Sequence, residues 1–447
     1  MAYFSFSSKC NGQGDNEVKK EFFVPRIEDL LKEEIPRLLE EQNVPAAGVG
    51  LIEDGQIKFI HVFGEHQLGI RAPENTIFNV ASITKVITAM ITLKLISQKQ
   101  WELDEPLHNY WVDPDLKNNS LHKKITTRHA LSHSIGFKNW RRMNETRKLE
   151  FDFEPGTKYQ YSGEGIEYLR MALENRFSKD LGLLADSLLF RPLNMADATL
   201  KWISDQDTIR FAKWYDGNKN EHQVLDYSTP NASAADDLLI TVEDLAKFGI
   251  AVMDTSLIDE KLFKEMIRSQ VKIHNNAQQG LGWTVVNNLP NDNYLINHDG
   301  GDRGVATTIM LFPISQNGII VFTNGDNGRI VCNSIVKKAI KFGNKIIQKL
   351  YWGGDIPEII KIDPILLENY SGVYQTNQNT EISFTVEGNA LKIRGEGVPG
   401  VEIYPKSITE FFPADFEVFF KFYETNEGFC FKLLSQEKII LEGTKQE

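Results

Sequence analysis

Residues 82–97 form a run whose apolar side chains would surround a helix on nearly every side: Val86, Ile87, Met90, Ile91, Leu93, Leu95 and Ile96. A helix of that kind has no wide polar face and must be central to whatever fold encloses it. Ser82 and Lys85 stand at its mouth, three residues apart and so on one face. In a first helical turn, unpaired N–H groups and the helix dipole favour developing negative charge. An amine kept neutral by desolvation can take the proton of a neighbouring hydroxyl and make it a nucleophile. A Lys in so apolar a helix is expensive unless it has a task or a partner. The same Ser-x-x-Lys spacing recurs at Ser120/Lys123, Ser269/Lys272, Ser334/Lys337 and Ser435/Lys438, so context must decide.

The chain around this helix has readable periodicity. Ile27 to Glu41 predicts an amphipathic helix, with Pro36 expected to kink or divide it. Ala47–Ile52 and Ile57–Phe63 flank Glu53-Asp54-Gly55-Gln56, a hairpin signal. Thr127–Leu131 predicts a short helix that ends by Gly136, and Pro155-Gly156 a turn. Tyr159 to Gly165 reads as a loop feeding a helix over Ile166–Asn175, and Thr241 as the cap of a helix over Val242–Met253. Strands are expected at Gly282–Val286, Val305–Phe312 and Gly318–Thr323. Asn333–Tyr351 is expected as one helix, with Lys337, Lys338, Lys341, Lys345 and Lys349 on a solvated face.

After Pro364 the texture changes to short alternating strands separated by Gly and Asn turns, which predicts a small antiparallel sandwich or barrel. The expected organisation is a flexible extension at 1–24, a main domain at 25–352, a linker at 353–363 and a β domain at 364–447. A length of 447 residues fits two domains. The net charge of -12 argues against a general phosphate-binding surface, and no nucleic-acid partner is expected. No apolar run is long enough to span a membrane, and no signal peptide is visible in Met1–Gly14. Cys10, Cys332 and Cys430 are few and far apart, as in a reducing compartment. A cytoplasmic location follows, or a secreted or periplasmic one if a signal has been removed.

Several fragments now stand in order around Ser82: Ala81-Ser82-Ile83-Thr84-Lys85, then Ala130-Leu131-Ser132-His133-Ser134-Ile135-Gly136, then Pro155-Gly156 and Tyr161-Ser162-Gly163. Gly280-Leu281-Gly282-Trp283 and His298-Asp299-Gly300-Gly301 follow. In this order they resemble the motifs of the serine β-lactamase and penicillin-binding-protein superfamily, in particular its class C β-lactamase-like branch of esterases and D-peptidases. The resemblance covers residues 25–350. It implies an α/β fold, an antiparallel sheet flanked by helices with a helical subdomain, and acyl transfer through a covalent enzyme. Ser82 would be the nucleophile, Lys85 and Tyr161 would share the proton work, and His298 would complete the catalytic set. The backbone N–H groups of Ser82 and Gly301 would hold the oxyanion. Gly163, Asp299 and Gly300 would contact substrate, and Arg303 beside them is a further candidate from its charge and place in sequence.

The same resemblance requires a Tyr161 phenol with a pKa pulled well below its free value by nearby cations. Two positions depart from the family pattern: Gly163 replaces an Asn and His298 replaces a Lys, the latter favouring esterase or peptidase relatives. Leu367-Glu368-Asn369-Tyr370-Ser371-Gly372-Val373-Tyr374 resembles the start of the lipocalin-like domain fused behind such enzymes.

Plainer readings accompany these. Tyr159 is expected to pack. His129 and His133 have metal-ligand spacing, but Ala130 stands where a zinc site needs Glu, so capping and packing are the better account. Asp302 and Arg303 fit a surface ion pair as well as a carboxylate grip, and Phe416, Val418, Phe420 and Phe422 fit a core. No metal or cofactor is expected, and no Gly-x-Ser-x-Gly elbow is present. The sequence predicts a serine hydrolase acting on a small ester, amide or short D-amino-acid peptide. Alternatives are a weak β-lactamase or DD-carboxypeptidase, or a degraded relative that only binds. Association into a homo-oligomer is left open.

Overall fold

The structure, a computed structural model, describes residues 21–201, 205–223, 233–395, 400–426, 428–435 and 437–446. Cys10 and most of the expected extension lie outside these residues. Residues 21–24 do not behave as an extension: Phe22 and Phe23 are buried, and the Val24 N–H donates to Ala339 O at 3.0 Å.

The chain opens with α1 (Ile27–Glu41), β1 (Ala46–Glu53), β2 (Gln56–Gln67) and β3 (Ile70–Arg71). Next, β4 (Phe78–Asn79) runs through the 3-10 turn Ala81–Ile83 into α2 (Thr84–Ser97). Then come α3 (Thr127–Leu131), α4 (Gly163–Phe177), α5 (Leu181–Ala185), α6 (Asp205–Arg210), β5 (Leu239–Ile240), α7 (Val242–Met253) and α8 (Glu260–Ile267). β6 (Val271–Lys272), β7 (Gln278–Gln279), β8 (Thr284–Val286), β9 (Leu295–Asp302), β10 (Val305–Phe312) and β11 (Asn317–Thr323) follow.

These strands build an antiparallel sheet in the order β3-β2-β1-β11-β10-β9-β8-β7-β6, while β4 pairs with β5. Both faces of the sheet are covered, so its central strands alternate between two cores. Ile52, Ile309, Leu311, Ile320 and Phe322 join α2, α4 and α7 in one core. Val49, Leu51, Met310, Phe312, Ile319 and Val321 meet α1 on the other face. Helix α2 is buried on all sides except at Lys94, Ile96 and Ser97, as its composition requires.

Two helix expectations need correction. Pro36 lies inside a continuous α1; it points to solvent, where water can satisfy the carbonyl that its missing N–H leaves free. The expected helix over 333–351 is two helices, α9 (Gly328–Ala339) and α10 (Gly343–Tyr351). Ile340 bridges to Phe23, and a Cβ on Gly343 would stand 2.3 Å from Val336 O, so the second helix turns back tightly on the first. Nor is the Lys face merely solvated. Lys337 pairs with Asp415, Lys338 with Glu34 and Lys341 with Glu21.

Beyond the linker, α11 (Pro364–Tyr370) precedes β12 (Gly372–Thr376), β13 (Glu381–Glu387), β14 (Ala390–Gly395) and β15 (Glu402–Pro405). β16 (Glu410–Pro413), β17 (Phe419–Thr425), β18 (Gly428–Ser435) and β19 (Lys438–Lys445) complete a closed barrel, with Tyr374 opposite Lys445. Tyr374, Phe384, Phe411, Phe420, Phe422 and Phe431 fill its interior. Tyr370 of α11 stacks on Phe422 with centroids 4.6 Å apart. The barrel meets the rest of the chain through Lys337–Asp415, through Trp352 Nε1 donating to Ala414 O at 3.0 Å, and through the Tyr351 and Phe416 rings.

Candidate active site

A sharp elbow presents Ser82. The Asn79 side chain accepts the Ala81 N–H at 2.8 Å and donates to Asp236 O at 2.9 Å, tying the end of β4 to the segment before β5. Ala81 has φ 45°, a backbone region that costs a residue with a side chain about 1–3 kcal/mol. The Thr84 hydroxyl donates to Ala81 O at 2.7 Å and holds that strained residue in place. Ser82 therefore sits in the 3-10 turn that precedes α2, one step earlier than its helical spacing suggests.

Lys85 is 1% exposed, and its Nζ donates to Ser82 Oγ at 2.9 Å and to Ala235 O at 2.8 Å. Burial pushes its amine down to about 8, against the opposing pull of Asp236 and Glu167. About a tenth of the amine is then neutral at pH 7 and half of it near pH 8, which supplies a base for Ser82.

Tyr161 lies on the other side of this pair, with Lys85 Nζ 5.0 Å from its ring centroid. Contrary to the expectation of a lowered phenol, burial pushes Tyr161 upward, with only partial relief from the Ser82 hydroxyl, and Asp236 and Asp299 add to the rise. Burial dominates, so the phenol is protonated at neutral pH and can serve as a hydrogen-bond donor. His133 supports it: the two ring centroids are 4.4 Å apart, and His133 Nδ1 accepts the Ser162 N–H at 3.2 Å. His129 forms a capping box with Thr126 at the start of α3.

Strand β9 forms the facing wall. His298 is 6% exposed and its Nδ1 lies 2.8 Å from Asp299 O, so Nδ1 carries the proton and Nε2 is left as an acceptor. Burial and the charge of Lys85 hold the imidazole neutral. Asp299 lines the cleft beside Ser82, and its carboxylate already has protein partners: Tyr351 donates to it at 2.6 Å and Arg329 lies 3.2 Å away. Gly300 is a steric requirement. A Cβ there would stand 2.2 Å from both Val80 O and Thr307 Oγ1, so only glycine lets β9 lie against the Ser82 elbow. Arg329 donates to Gly300 O at 2.7 Å and to Thr307 O at 3.0 Å from behind.

Two clefts meet at Ser82. One, of about 350 Å³, runs along β9 and includes Tyr159, Tyr161, Gln279, Asn297 and His298. The other, of about 740 Å³, includes Lys85, Trp140, Arg142, Trp214, Asp236 and Arg303. Ser82, Asn139 and Gly301 border both. Gly163 lines neither: a Cβ on it would stand 2.9 Å from the Trp140 ring, which covers that position. Tyr159, expected only to pack, borders the first cleft. The Gly280–Trp283 motif is interior, with Trp283 fully buried and a Cβ on Gly282 only 2.3 Å from Ala89 Cβ of α2. Asn139, Trp140, Asp236 and Arg329 were not singled out by spacing.

A two-face-covered antiparallel sheet with a Ser-x-x-Lys elbow packed against β9 defines the class of β-lactamase/transpeptidase-fold proteins. The family model described as Beta-lactamase matches residues 31–333, and the chain belongs to that family, within the superfamily of serine hydrolases that includes penicillin-binding proteins. Penicillin-binding protein 4* of Bacillus subtilis (strain 168) is 24% identical over 405 residues, which is 80% of this chain and 86% of that protein. Protein flp of Staphylococcus aureus (strain MRSA252) is 22% identical over 321 residues, 64% of this chain and 60% of its own length. Among solved structures, the octameric penicillin-binding protein homologue from Pyrococcus abyssi aligns with a TM-score of 0.61 at 17% identity, over 93% of this chain and 99% of that one. D-alanine carboxypeptidase AmpC from Burkholderia cenocepacia aligns with a TM-score of 0.56 at 18% identity, over 67% and 94%. At these identities the two structures report a shared fold.

Proposed function

We propose that the protein is a serine hydrolase that cleaves a small ester, amide or D-amino-acid-containing peptide through an acyl-enzyme on Ser82. The observation that carries this reading is the buried Lys85 amine at 2.9 Å from Ser82 Oγ, lowered to about 8. Lys85 takes the Ser82 proton as the oxygen attacks the carbonyl carbon, and the oxyanion rests on the Ser82 and Gly301 N–H groups. Tyr161, protonated, donates toward the leaving group. His298 offers a neutral Nε2 to the same space. Hydrolysis of the ester bond to Ser82 then returns the free hydroxyl.

Mass-spectrometric mapping of a fluorophosphonate adduct tests the reading: the label belongs on Ser82, and Ser82→Ala abolishes both label and turnover. Full turnover by that variant would refute it. Clean labelling counts against a degraded relative that only binds.

A second reading, DD-carboxypeptidase or weak β-lactamase, draws on the names of the relatives and on clefts that flank Ser82 on both sides, with room for peptide in each direction. Nitrocefin turnover or a penicilloyl adduct on Ser82 favours it. The octameric archaeal homologue motivates a homo-oligomer, which sedimentation would reveal.

A further inference from the structure

The Lys85 amine rests on two acceptors, Ser82 Oγ and the Ala235 carbonyl. An N–H held by Ala235 O limits rotation about the Cε–Nζ bond, so the lone pair of the neutral amine can face the Ser82 hydroxyl. Ala235 lies in a turn ahead of β5, and neither helix nor ladder sets its path. Side chains do. The Ala235 N–H donates to Ser233 Oγ at 3.1 Å, and the Ser233 N–H to Asp237 Oδ2 at 2.7 Å. From α2, the Thr88 hydroxyl donates to Ala234 O at 3.0 Å, and Thr84 Oγ1 accepts the Leu238 N–H at 2.9 Å.

The other side of the turn is held by Glu167 of α4. Its Oε1 accepts the Ala234 N–H at 2.6 Å and the Ser233 hydroxyl at 2.8 Å. Its Oε2 takes Arg170 Nε at 2.7 Å, and Arg170 Nη1 reaches Glu174 at 2.7 Å. Hydrogen bonds to a charged acceptor are roughly twice as strong as neutral ones, and these two donors stand one and two residues before Ala235. Glu167 lines neither cleft at Ser82, so it acts there only through other residues.

We infer that Glu167 is a positioning residue for the acyl-transfer base: through Ser233 and Ala234 it sets the Ala235 carbonyl that orients Lys85 toward Ser82. This rests on the reading that Lys85 is the base for Ser82. The same carboxylate also bears on the amine by its charge. Burial lowers Lys85, while Asp236 and then Glu167 pull it back up. Tyr161, His133 and His298 also face the amine and are uncharged at neutral pH. Around Glu167 itself stand Arg170, with its second partner Glu174, and Asp237, which burial pushes up to about 6.

The test needs no known substrate. The rate of fluorophosphonate labelling at Ser82 is followed across the Lys85 limb in wild type, Glu167→Gln and Ser233→Ala. Glu167→Gln keeps an oxygen for the turn and removes the charge, so the limb should move about half a pH unit or more to lower pH. Ser233→Ala keeps the charge and unties the turn, so the limb should stay while the plateau falls about tenfold or more. A merely structural role would lower the thermal midpoint of both variants and move neither limb nor plateau. A Ser233→Ala plateau within about twofold of wild type, or a folded Glu167→Gln whose limb stays in place, overturns the role of Glu167 and leaves Lys85 standing as the base. Ser233→Ala removes no charge, and it decides alone if Glu167→Gln does not fold. A wild type that fails to label at Ser82, or labels there without a pH limb, overturns both.

Discussion

Lys85 Nζ and Ser82 Oγ stand 2.9 Å apart in a pocket that excludes water from the amine. Base catalysis by this amine requires its neutral form, so kcat/KM should rise with pH up to about 8 and level off above it. Tyr161, raised by burial, and His298, lowered by it, do not titrate across that limb. Lys85→Ala should lower kcat/KM by about 10²–10⁴-fold and abolish the limb. A profile flat from pH 6 to 9 in wild type would refute the assignment.

The same pKa has a thermodynamic sign. Unfolded Lys85 titrates near 10.5 and folded Lys85 near 8, so between these values the unfolded chain holds the extra proton. Stability therefore rises with pH over that window, by ~3 kcal/mol from this group. Denaturant titrations should show wild type gaining on Lys85→Met as pH goes from 8 to 10.5. An unchanging difference would mean the amine is not held near 8.

Gly300→Ala places a methyl group 2.2 Å from the Val80 carbonyl and must push β9 away from the elbow. The Gly301 N–H then loses its position relative to Ser82. Loss of one such donor costs about 10²–10³-fold in kcat. Steady-state kinetics on the folded variant, checked by circular dichroism, would show it.

Asp299 is pushed up by burial, but Arg329 and then the Tyr351 hydroxyl more than reverse this and hold it below the usual carboxylate range. Its contribution to stability is present above the unfolded pKa of about 4 and is lost as pH falls through the lower folded value. Arg329→Met leaves that charge unpaired and should destabilise by about 3–5 kcal/mol. Tyr351→Phe should cost about 1.5–3 kcal/mol. In both variants acid unfolding should begin at higher pH than in wild type.

Local patterns made much of the fold legible. The β1–β2 hairpin, the Thr241 cap, the all-round apolar α2 and the short strands of the barrel each follow from neighbours in sequence. What escaped depends on distant partners. The break between α9 and α10 comes from Phe23, more than 300 positions earlier. The Asp299 carboxylate, on the wall of the cleft, is held by Arg329 and Tyr351, which come to it from α9 and α10. Asn139 carries no spacing signal, because its placement is set by N–H groups of α4 in a loop whose path no periodicity describes. Tyr161 stands in a motif, but its raised phenol pKa comes from burial, a property of the assembled site that no local pattern carries.

Helix α9 holds Arg329 against β9 at one end and Lys337 against Asp415 of the barrel two turns later, roughly 12 Å along the axis. One rigid rod thus belongs to both halves of the molecule. A chain ended after Trp352 would keep the side chains around Ser82, yet it would bare the Trp352 indole and leave Lys337 without its carboxylate. Shortened forms of this protein should therefore become sticky before they become inactive. A barrel swapped in from another relative would have to bring its own answer to Lys337 and Trp352.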